Sequence, residues 1–327
     1  MSNRFLQALS TVIAVVLLAP LPAAGQVPKA ATDGWMLHRT PDGQPDLQGV
    51  WDFRTITPLE RPGELVGKAV LTEEEAAEFE QETLQARDHD GPPREGSTGT
   101  YNQFWWDYGT KLTEDNRTSL IVDPSDGKIP PLTPEGQQRS EARNASRGRP
   151  AAGPEDRSLW ERCLTRSLPR LPGAYNNNLQ IFQAADHVVI LNEMIHEARV
   201  IPLRDQPHVD RNIRQWQGDS RGHWDGETLV VDTTHFTDKT NFRGSTDTLH
   251  LVERFTRVDA DTLRYEATIE DATTFTTPWT IVVPMAKSEG RMFEYACHER
   301  NYGMEGILAG ARADEQAAAG AVKTGSR

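Results

Sequence analysis

The alternation of hydrophobic and polar positions changes near residue 175 of the chain. Beyond it, short runs of β-branched, aromatic and aliphatic residues alternate with polar ones, and turn residues such as Asp225-Gly226 separate the runs. A period of two places every second side chain on the same face, which is typical of strands. The pattern predicts strands at residues 179–183, 188–201, 228–236, 249–258, 263–271, 279–285 and 292–298.

The first half of the chain carries two helical patterns and fewer strands. Thr72 and Glu75 form a capping box, in which each side chain satisfies the other residue's backbone N–H, and a helix is predicted from there to about Arg87. A proline in the first helical turn predicts a second helix from Pro134 to about Arg147. Short strands are predicted at 47–53 and 116–122, and the remaining segments are typical of loops.

The fold class that follows is mainly β. Successive strands joined by short turns predict an antiparallel meander, and a sheet of that many strands must close into a barrel or curve strongly to protect its edges. We expect one domain over residues 47–310, with a partly helical, loop-rich insertion at about 55–160. A linker at 26–46 precedes it, and the Ala- and Gly-rich composition predicts a disordered tail at 311–327.

The N-terminus has the three parts of a cleavable secretory signal. Arg4 precedes an apolar run at 5–21, and small residues follow up to Gly25. Pro20 and Pro22 interrupt the run, which disfavours an uncleaved membrane anchor. We therefore expect a signal peptide at 1–25 and a periplasmic or secreted chain with no integral membrane span after cleavage.

Export changes the interpretation of the two cysteines. In an oxidising compartment, a pair of cysteines is more often a disulfide than a metal site or a catalytic site. The sequence therefore predicts a disulfide between Cys163 and Cys297.

The charge balance excludes several classes of partner and cofactor. The chain has 48 acidic and 35 basic residues, for a net charge of −13, whereas nucleic acids and anionic membranes require a basic surface. No phosphate-binding loop and no Gly-x-Gly-x-x-Gly pattern is present, and the histidines lack the spacing of zinc motifs. We predict neither cofactor nor metal, and leave the oligomeric state open.

The segment Gly218–Gly222 fits the pattern Gly-x-Ser-x-Gly, with Ser220 at its centre. In α/β-hydrolases this pattern is a nucleophile elbow, which requires a strand, a sharp turn and then a helix. Here the pattern leads towards another strand at 228–236, and no helix can begin there. The segment favours a structural loop, and a serine hydrolase using Ser220 is kept as a third hypothesis.

Four motifs together resemble a family of exported soil-bacterial proteins of unassigned function. They are Gly-Val-Trp at 49–51, Asn-Asn-Asn at 176–178, the run GHWDGETLVV at 222–231 and EYACHE at 294–299. That resemblance implies no reaction. Gly49 and Trp51 are also similar to lipocalins, whose tryptophan closes the bottom of a barrel, so a lipocalin-like barrel is expected. Against a lipocalin stands the gap of ~120 residues between this first strand and the rest of the meander, which is far longer than ordinary hairpin loops.

Strand alternation identifies which side chains face inward. Tyr265 lies on the apolar face of the 263–271 strand, and continuing the alternation places Asp271 on the same face. In the 188–201 strand the even positions are more apolar, which predicts that Asn192, Met194 and His196 point inward. For 292–298 both faces remain possible, so His298 is inward in one arrangement and outward in the other.

Titratable residues inside a barrel suggest acid–base chemistry. An imidazole shuttles protons near neutral pH, and a carboxylate orients it, so His196 with Asp271, and with His298 or Glu299, are the candidate catalytic residues. The alternative is that these side chains satisfy one another structurally. The residues expected to contact a ligand are Asn192, Met194, Tyr175, Tyr265, Trp224 and Trp279.

The leading hypothesis is an exported, small-molecule-binding β-barrel enzyme. It performs cofactor-independent acid–base chemistry, as a lyase, isomerase or hydrolase, on a small, partly aromatic or apolar substrate. The alternative hypothesis is a periplasmic carrier that binds such a molecule without chemistry.

Overall fold

The computed structural model describes residues 35–88, 90–91, 102–147, 149–239, 242–299 and 301–325. The predicted signal peptide lies outside these residues. The strands are β1 (Gly49–Asp52), β2 (Ile121–Asp123), β3 (Asn178–Gln183), β4 (His187–Asn192), β5 (Ala198–Pro202), β6 (Asp219–Asp225), β7 (Thr228–Thr234), β8 (His250–Arg257), β9 (Thr262–Glu270) and β10 (Trp279–Ser288). The helices are α1 (Glu73–Ala86), α2 (Pro134–Arg147) and α3 (Tyr302–Gly325).

All ten strands form one antiparallel sheet. Its order is β5-β4-β3-β1-β10-β9-β8-β7-β6, and β2 pairs with β10 beside this path. The sheet curves until its two edges touch, because a Cβ added to Gly222 of β6 would lie 2.9 Å from side-chain atoms of both Ile201 and Leu203. The backbone hydrogen bonds that pair neighbouring strands do not continue between β5 and β6. The mainly antiparallel β prediction is confirmed, and the sheet is strongly curved rather than closed.

One end of the curved sheet is closed by Trp51 and Arg257. The indole of Trp51 is fully buried, and its Nε1 donates a hydrogen bond to the carbonyl of Leu47 at 2.9 Å. The guanidinium of Arg257 lies 5.5 Å from the centre of a Trp51 ring and donates to the carbonyls of Asp46 and Ala260. These contacts tie the start of β1 to the end of β8 and close this end.

The interior of the sheet is filled by side chains. Alternate residues of β8, β9 and β10 are buried, as the period of two predicts, and the apolar ones among them belong to one core. An ion pair between Arg199 and Glu253 crosses this core, and the Tyr265 hydroxyl donates to Glu253 at 2.9 Å. Space for a ligand therefore lies at the ends of the sheet rather than at its centre.

The prediction of a single strand over 188–201 is wrong. The segment forms β4 and β5, joined by a tight turn at Met194–His196 in which Ile195 has φ 65° and His196 has φ 43°. The turn reverses the alternation, so Arg199 and Ile201 face inward and Val200 is exposed. No glycine or proline marks this turn, and an apolar run hides it.

Three further elements differ from the prediction. Residues 292–298 form no strand and cross the end of the sheet, where Cys297 forms the predicted disulfide with Cys163. The tail expected to be disordered contributes most of α3 (Tyr302–Gly325), because its alanines favour helix. The Gly-x-Ser-x-Gly segment, expected to be a loop, begins β6.

The helical predictions in the first half are confirmed. Thr72 and Glu75 form the capping box at the start of α1, and α2 begins at Pro134. Of the residues of α1, Ala76 is buried, so this helix lies on the surface. Within the described ranges, no helix combines the length and hydrophobicity needed to cross a bilayer.

Candidate functional site

A pocket lies at the end of the sheet away from Arg257, where β3 begins and β4 ends. Its volume is ≈ 230 Å³. The walls come from the β3 and β4 ends, the Met194–His196 turn, and two loops that cross this end of the sheet. The lining residues are Phe53, Arg166, Ser167, Pro169, Arg170, Leu171, Pro172, Asn176, Asn177, Asn178, Asn192, Met194, Phe242 and Arg243. We call this cavity the mouth pocket.

The mouth pocket is positively charged. Arg166, Arg170 and Arg243 line it, and no aspartate or glutamate is among its lining residues. Arg170 is neutralised by Glu197, whose carboxylate accepts from Nη2 at 2.6 Å. Within the part of the chain that the structure describes, Arg166 and Arg243 have no carboxylate partner. Two guanidinium groups therefore remain uncompensated at a site that excludes acidic residues.

Arg166 is held against the backbone of its own loop. An added Cβ on Gly173 would lie 2.1 Å from Nη2 of Arg166, so the guanidinium packs directly against this glycine. Burial lowers the pKa of the Arg166 guanidinium, because low-dielectric surroundings disfavour its charged form. Arginine nonetheless stays protonated in proteins. A partly desolvated cation without a carboxylate partner is a strong site for an anion.

Two of the asparagines shape the mouth pocket, and a third has a buried, unsatisfied oxygen. Asn177 accepts from the backbone N–H of Gly173 at 2.7 Å and donates to the carbonyl of Asp107 at 2.7 Å, and Asn178 donates to Glu193. By contrast, Oδ1 of Asn192 is buried and lacks a hydrogen-bond partner among the described residues. Such a buried, unpaired acceptor is costly in free energy.

One wall of the mouth pocket is apolar. Phe53, Leu171, Met194 and Phe242 contribute to it. Phe242 stacks on the indole of Trp279, with ring centroids 5.9 Å apart and planes within 17°. Trp279 is fully buried behind Phe242 and supports the wall without lining it. The pocket thus combines a cationic side with an aromatic one.

The predicted catalytic residues do not form one cluster. His196 lies in the turn after β4, where its Nδ1 donates to the carbonyl of Tyr295 at 2.8 Å, and its ring centroid is 6.3 Å from that of His298. His298 and Glu299 are exposed on the segment that crosses this end. This hydrogen bond leaves Nε2 of a neutral His196 as a proton acceptor.

Asp271 holds a turn at the end of β9. Its carboxylate accepts from the backbone N–H of Thr246 at 2.8 Å and from the hydroxyls of Thr248 and Thr273. Burial alone would raise its pKa, but these hydrogen bonds stabilise the anion and lower it. None of its hydrogen bonds involves His196. The side chain faces inward, as alternation predicts, and its contacts are those of a turn cap.

The predicted ligand contacts are divided between pocket and core. Asn192 and Met194 line the mouth pocket. The Tyr175 ring lies 6.2 Å from the Tyr295 ring beside it. Tyr265 is fully buried in the core, and its hydroxyl accepts from the backbone N–H of Arg170 at 3.1 Å. Trp224 lies on β6, where its Nε1 donates to Gln44 at 2.6 Å.

Ser220 lies in a strand. It is buried in β6, and its hydroxyl is 2.9 Å from that of Thr233 on β7. The chain continues through β6 into a hairpin with β7, so the turn and helix of a nucleophile elbow do not follow it.

Sequence reasoning missed the arginines of the mouth pocket. Arg166, Arg170 and Arg243 all lie in loops, where side-chain direction follows no period. The signal available was compositional. Residues 164–173 contain two arginines and no acidic residue in a strongly acidic chain.

Comparisons with known proteins show little similarity. No protein-family model matches the chain, and no curated protein matches it. Among solved structures it is similar to a secretary abundant heat soluble (SAHS) protein from Ramazzottius varieornatus, at 15% identity and a TM-score of 0.25, over 37% of this chain and 79% of that one. It is also similar to a mutant of the fluorescent protein UnaG, at 12% identity and a TM-score of 0.24, over 40% of this chain and 86% of that one.

Proposed function

We propose that this chain binds a small organic anion with an aromatic or apolar body in the mouth pocket. The observation that carries the proposal is the lining itself, with three arginines and no acidic residue. A carboxylate would lie against Arg166 and Arg243. The ring would pack on Phe242.

Size supports a ligand of about one ring. The pocket volume is ≈ 230 Å³, and an apolar cavity of about 150 Å³ is enough to hold benzene in another protein. The volume lies below the usual range of drug-sized sites, roughly 300–1,000 Å³. A monocyclic aromatic carboxylate satisfies the size, the charge and the apolar wall together. The disulfide fits the expected export of such a binding protein to an oxidising compartment.

The test uses benzoate as the probe and benzamide as its neutral isostere. Isothermal titration should show one benzoate site per chain, with benzamide at least about tenfold weaker, because a charge-assisted hydrogen bond contributes about 1.5–3 kcal/mol. Arg166→Gln and Arg243→Gln should each weaken benzoate binding by about tenfold or more. Arg211→Gln, an exposed arginine outside the pocket, is the matched control and should leave it unchanged.

Equal affinity for benzoate and benzamide would overturn an anion site. Equal losses in all three arginine variants would reduce the effect to net charge. Heat-induced unfolding of each variant without ligand separates a loss of binding from a loss of folding.

Acid–base catalysis is the second candidate function, and one observation favours it. The Tyr295 carbonyl holds the proton of His196 on Nδ1, which leaves Nε2 as a base two residues from Met194 of the mouth pocket. Phenylpyruvate is a suitable probe, because removal of its benzylic proton leads to the enol.

The wild-type chain should accelerate the exchange of the benzylic protons of phenylpyruvate for deuterium in D2O, and the His196→Gln variant should not. NMR measures this exchange. The melting temperature of this variant should stay near that of the wild type. Equal acceleration by both proteins would leave His196 a structural role, and exchange no faster than in buffer would leave the chain a carrier.

A further inference from the structure

A cluster of histidines and carboxylates lies on the β6–β7 hairpin, apart from the mouth pocket. His208, Asp219 and His235 each direct one potential ligand atom into it, and these three atoms lie within 4.8 Å of one another. Nδ1 of His208 is 2.8 Å from Oδ2 of Asp219, and the ring centroids of His208 and His235 are 5.6 Å apart. Two imidazoles and a carboxylate are a ligand set typical of divalent transition metals.

Three separate parts of the chain bring these residues together. Asp219 begins β6 and pairs with Thr234 at the end of β7, so His235 follows directly beside it. His208 comes from the loop between β5 and β6, and its neighbour Val209 donates its N–H to Oδ2 of Asp219 at 3.1 Å. The sequence intervals between the three residues are long, which is why no zinc-motif spacing revealed them.

The outer contacts orient both imidazoles. The second nitrogen of His208, Nε2, is 3.0 Å from Oδ1 of Asp232, so a carboxylate can hold the proton of this ring and leave Nδ1 as a ligand. A carboxylate behind a ligating histidine is a recurrent feature of metal sites. His235 has φ 57°, and its Nδ1 lies 2.6 Å from the Thr234 hydroxyl, which leaves Nε2 for coordination.

The charge around the cluster is compatible with a cation. Asp219 is buried, and Arg221 donates to its Oδ1 at 2.8 Å, so the arginine occupies the oxygen that does not face His208. Asp232 adds a second carboxylate and also accepts from His250 at 2.7 Å. Because the donors include two imidazoles, the site suits zinc or a neighbouring first-row ion better than Mg²⁺ or Ca²⁺.

We propose that His208, Asp219 and His235 form a binding site for one divalent first-row transition ion, with Zn²⁺ as the reference ion. Metal–ligand bonds of about 2.0–2.2 Å in a tetrahedral site place ligand atoms about 3.4 Å apart, so His235 would approach the other two ligands by a small side-chain movement. Three protein ligands leave a fourth position for water. The ion would hold the 203–218 loop on the hairpin, and this site is independent of the proposed anion pocket.

Zinc binding to the full chain tests the proposal. The chain, freed of any affinity tag and of metal by EDTA, is titrated with Zn²⁺ by calorimetry, and its melting temperature is measured with and without Zn²⁺. We expect one equivalent of Zn²⁺ per chain and a higher melting temperature, since an ion that binds only the folded state stabilises it. His235→Asn should lose at least about tenfold in affinity. Asparagine tolerates the positive φ of this position, so the backbone should be kept.

His223→Gln is the matched control, because His223 is exposed on the same hairpin and lies outside the cluster. It should bind Zn²⁺ like the wild type. The imidazole NMR signals of the wild type give a second readout that needs no variant, and Zn²⁺ should shift those of His208 and His235 but not that of His223. Any of three results would contradict the proposed site. They are the absence of binding at one equivalent of Zn²⁺, an unchanged Zn²⁺ affinity in His235→Asn, and NMR shifts confined to other histidines.

Discussion

At the scale of single residues, the most demanding interaction is the ion pair inside the sheet. Arg199 and Glu253 are both buried, and Nη2 of Arg199 donates to Oε1 of Glu253 at 3.1 Å. Burial alone would lower the pKa of Arg199, but the adjacent Glu253 carboxylate raises it overall, so the Arg199 guanidinium stays charged. Two ions removed from water stabilise the fold only as long as both are present.

Glu253→Ala should therefore destabilise the chain by about 3–5 kcal/mol, because it leaves the Arg199 charge buried and unpaired. The double variant Arg199→Met with Glu253→Leu should recover most of that loss, since a buried pair can be replaced by apolar side chains at little cost. Urea unfolding of the three proteins measures both values. A double variant less stable than Glu253→Ala would show that the pair itself contributes net stability.

Single residues also explain which side chains of the site strand alternation placed correctly and which it did not. Alternation correctly placed Tyr265 and Asp271 inward, because β9 is regular. It failed for His196, because Ile195 adopts φ 65°, which is rare for a β-branched residue and is not signalled by its type. Ser167 and Arg243, which line the mouth pocket, also have positive φ. Such conformations persist where the surroundings impose them, and they concentrate at functional sites.

At the scale of elements, the two edge strands meet without a ladder. Gly222 makes this approach possible, because a Cβ there would meet side-chain atoms of Ile201 and Leu203 at 2.9 Å. Ile201 is fully buried and stiff at χ1, so it cannot easily move aside.

Gly222→Ala should cost about 1–3 kcal/mol through overpacking and should loosen β5 against β6. Gly63→Ala is the control, because nothing lies within 4 Å of its added Cβ and its φ is ordinary. Thermal unfolding and amide exchange of β5 and β6 check the expectation. Equal stability of the two variants would mean that the edges are not in firm contact.

The regular helices and strands were predictable from the sequence, whereas the irregular segments that cross the end of the sheet were not. Strands β8 and β9 carry a clear period of two, and the α1 capping box is a local signal, so both appear in the sequence. The β6 strand was missed because glycines dilute its pattern. The segment 292–298 has strand-like composition but pairs with no strand, since the disulfide to Cys163 and the His196–Tyr295 contact hold it across the end of the sheet.

At the scale of the whole molecule, charge and shape separate the two ends of the sheet. The chain has a net charge of −13, yet every charged residue in the lining of the mouth pocket is an arginine. At physiological salt the Debye length is about 8 Å, so distant acidic residues repel an anion only weakly while the arginines act at contact. Trp51 and Arg257 close one end of the sheet, and the anion site that we propose lies at the other.

The most direct test of the anion site is a crystal structure of the chain with 4-bromobenzoate, whose bromine is located by anomalous scattering. The account predicts one bromine peak beside Phe53, Met194 and Phe242, with the carboxylate in hydrogen-bond contact with Arg166 or Arg243. A bromine peak only elsewhere, as in the surface groove lined by Arg54 and Trp106, or no peak at a saturating concentration, would contradict it.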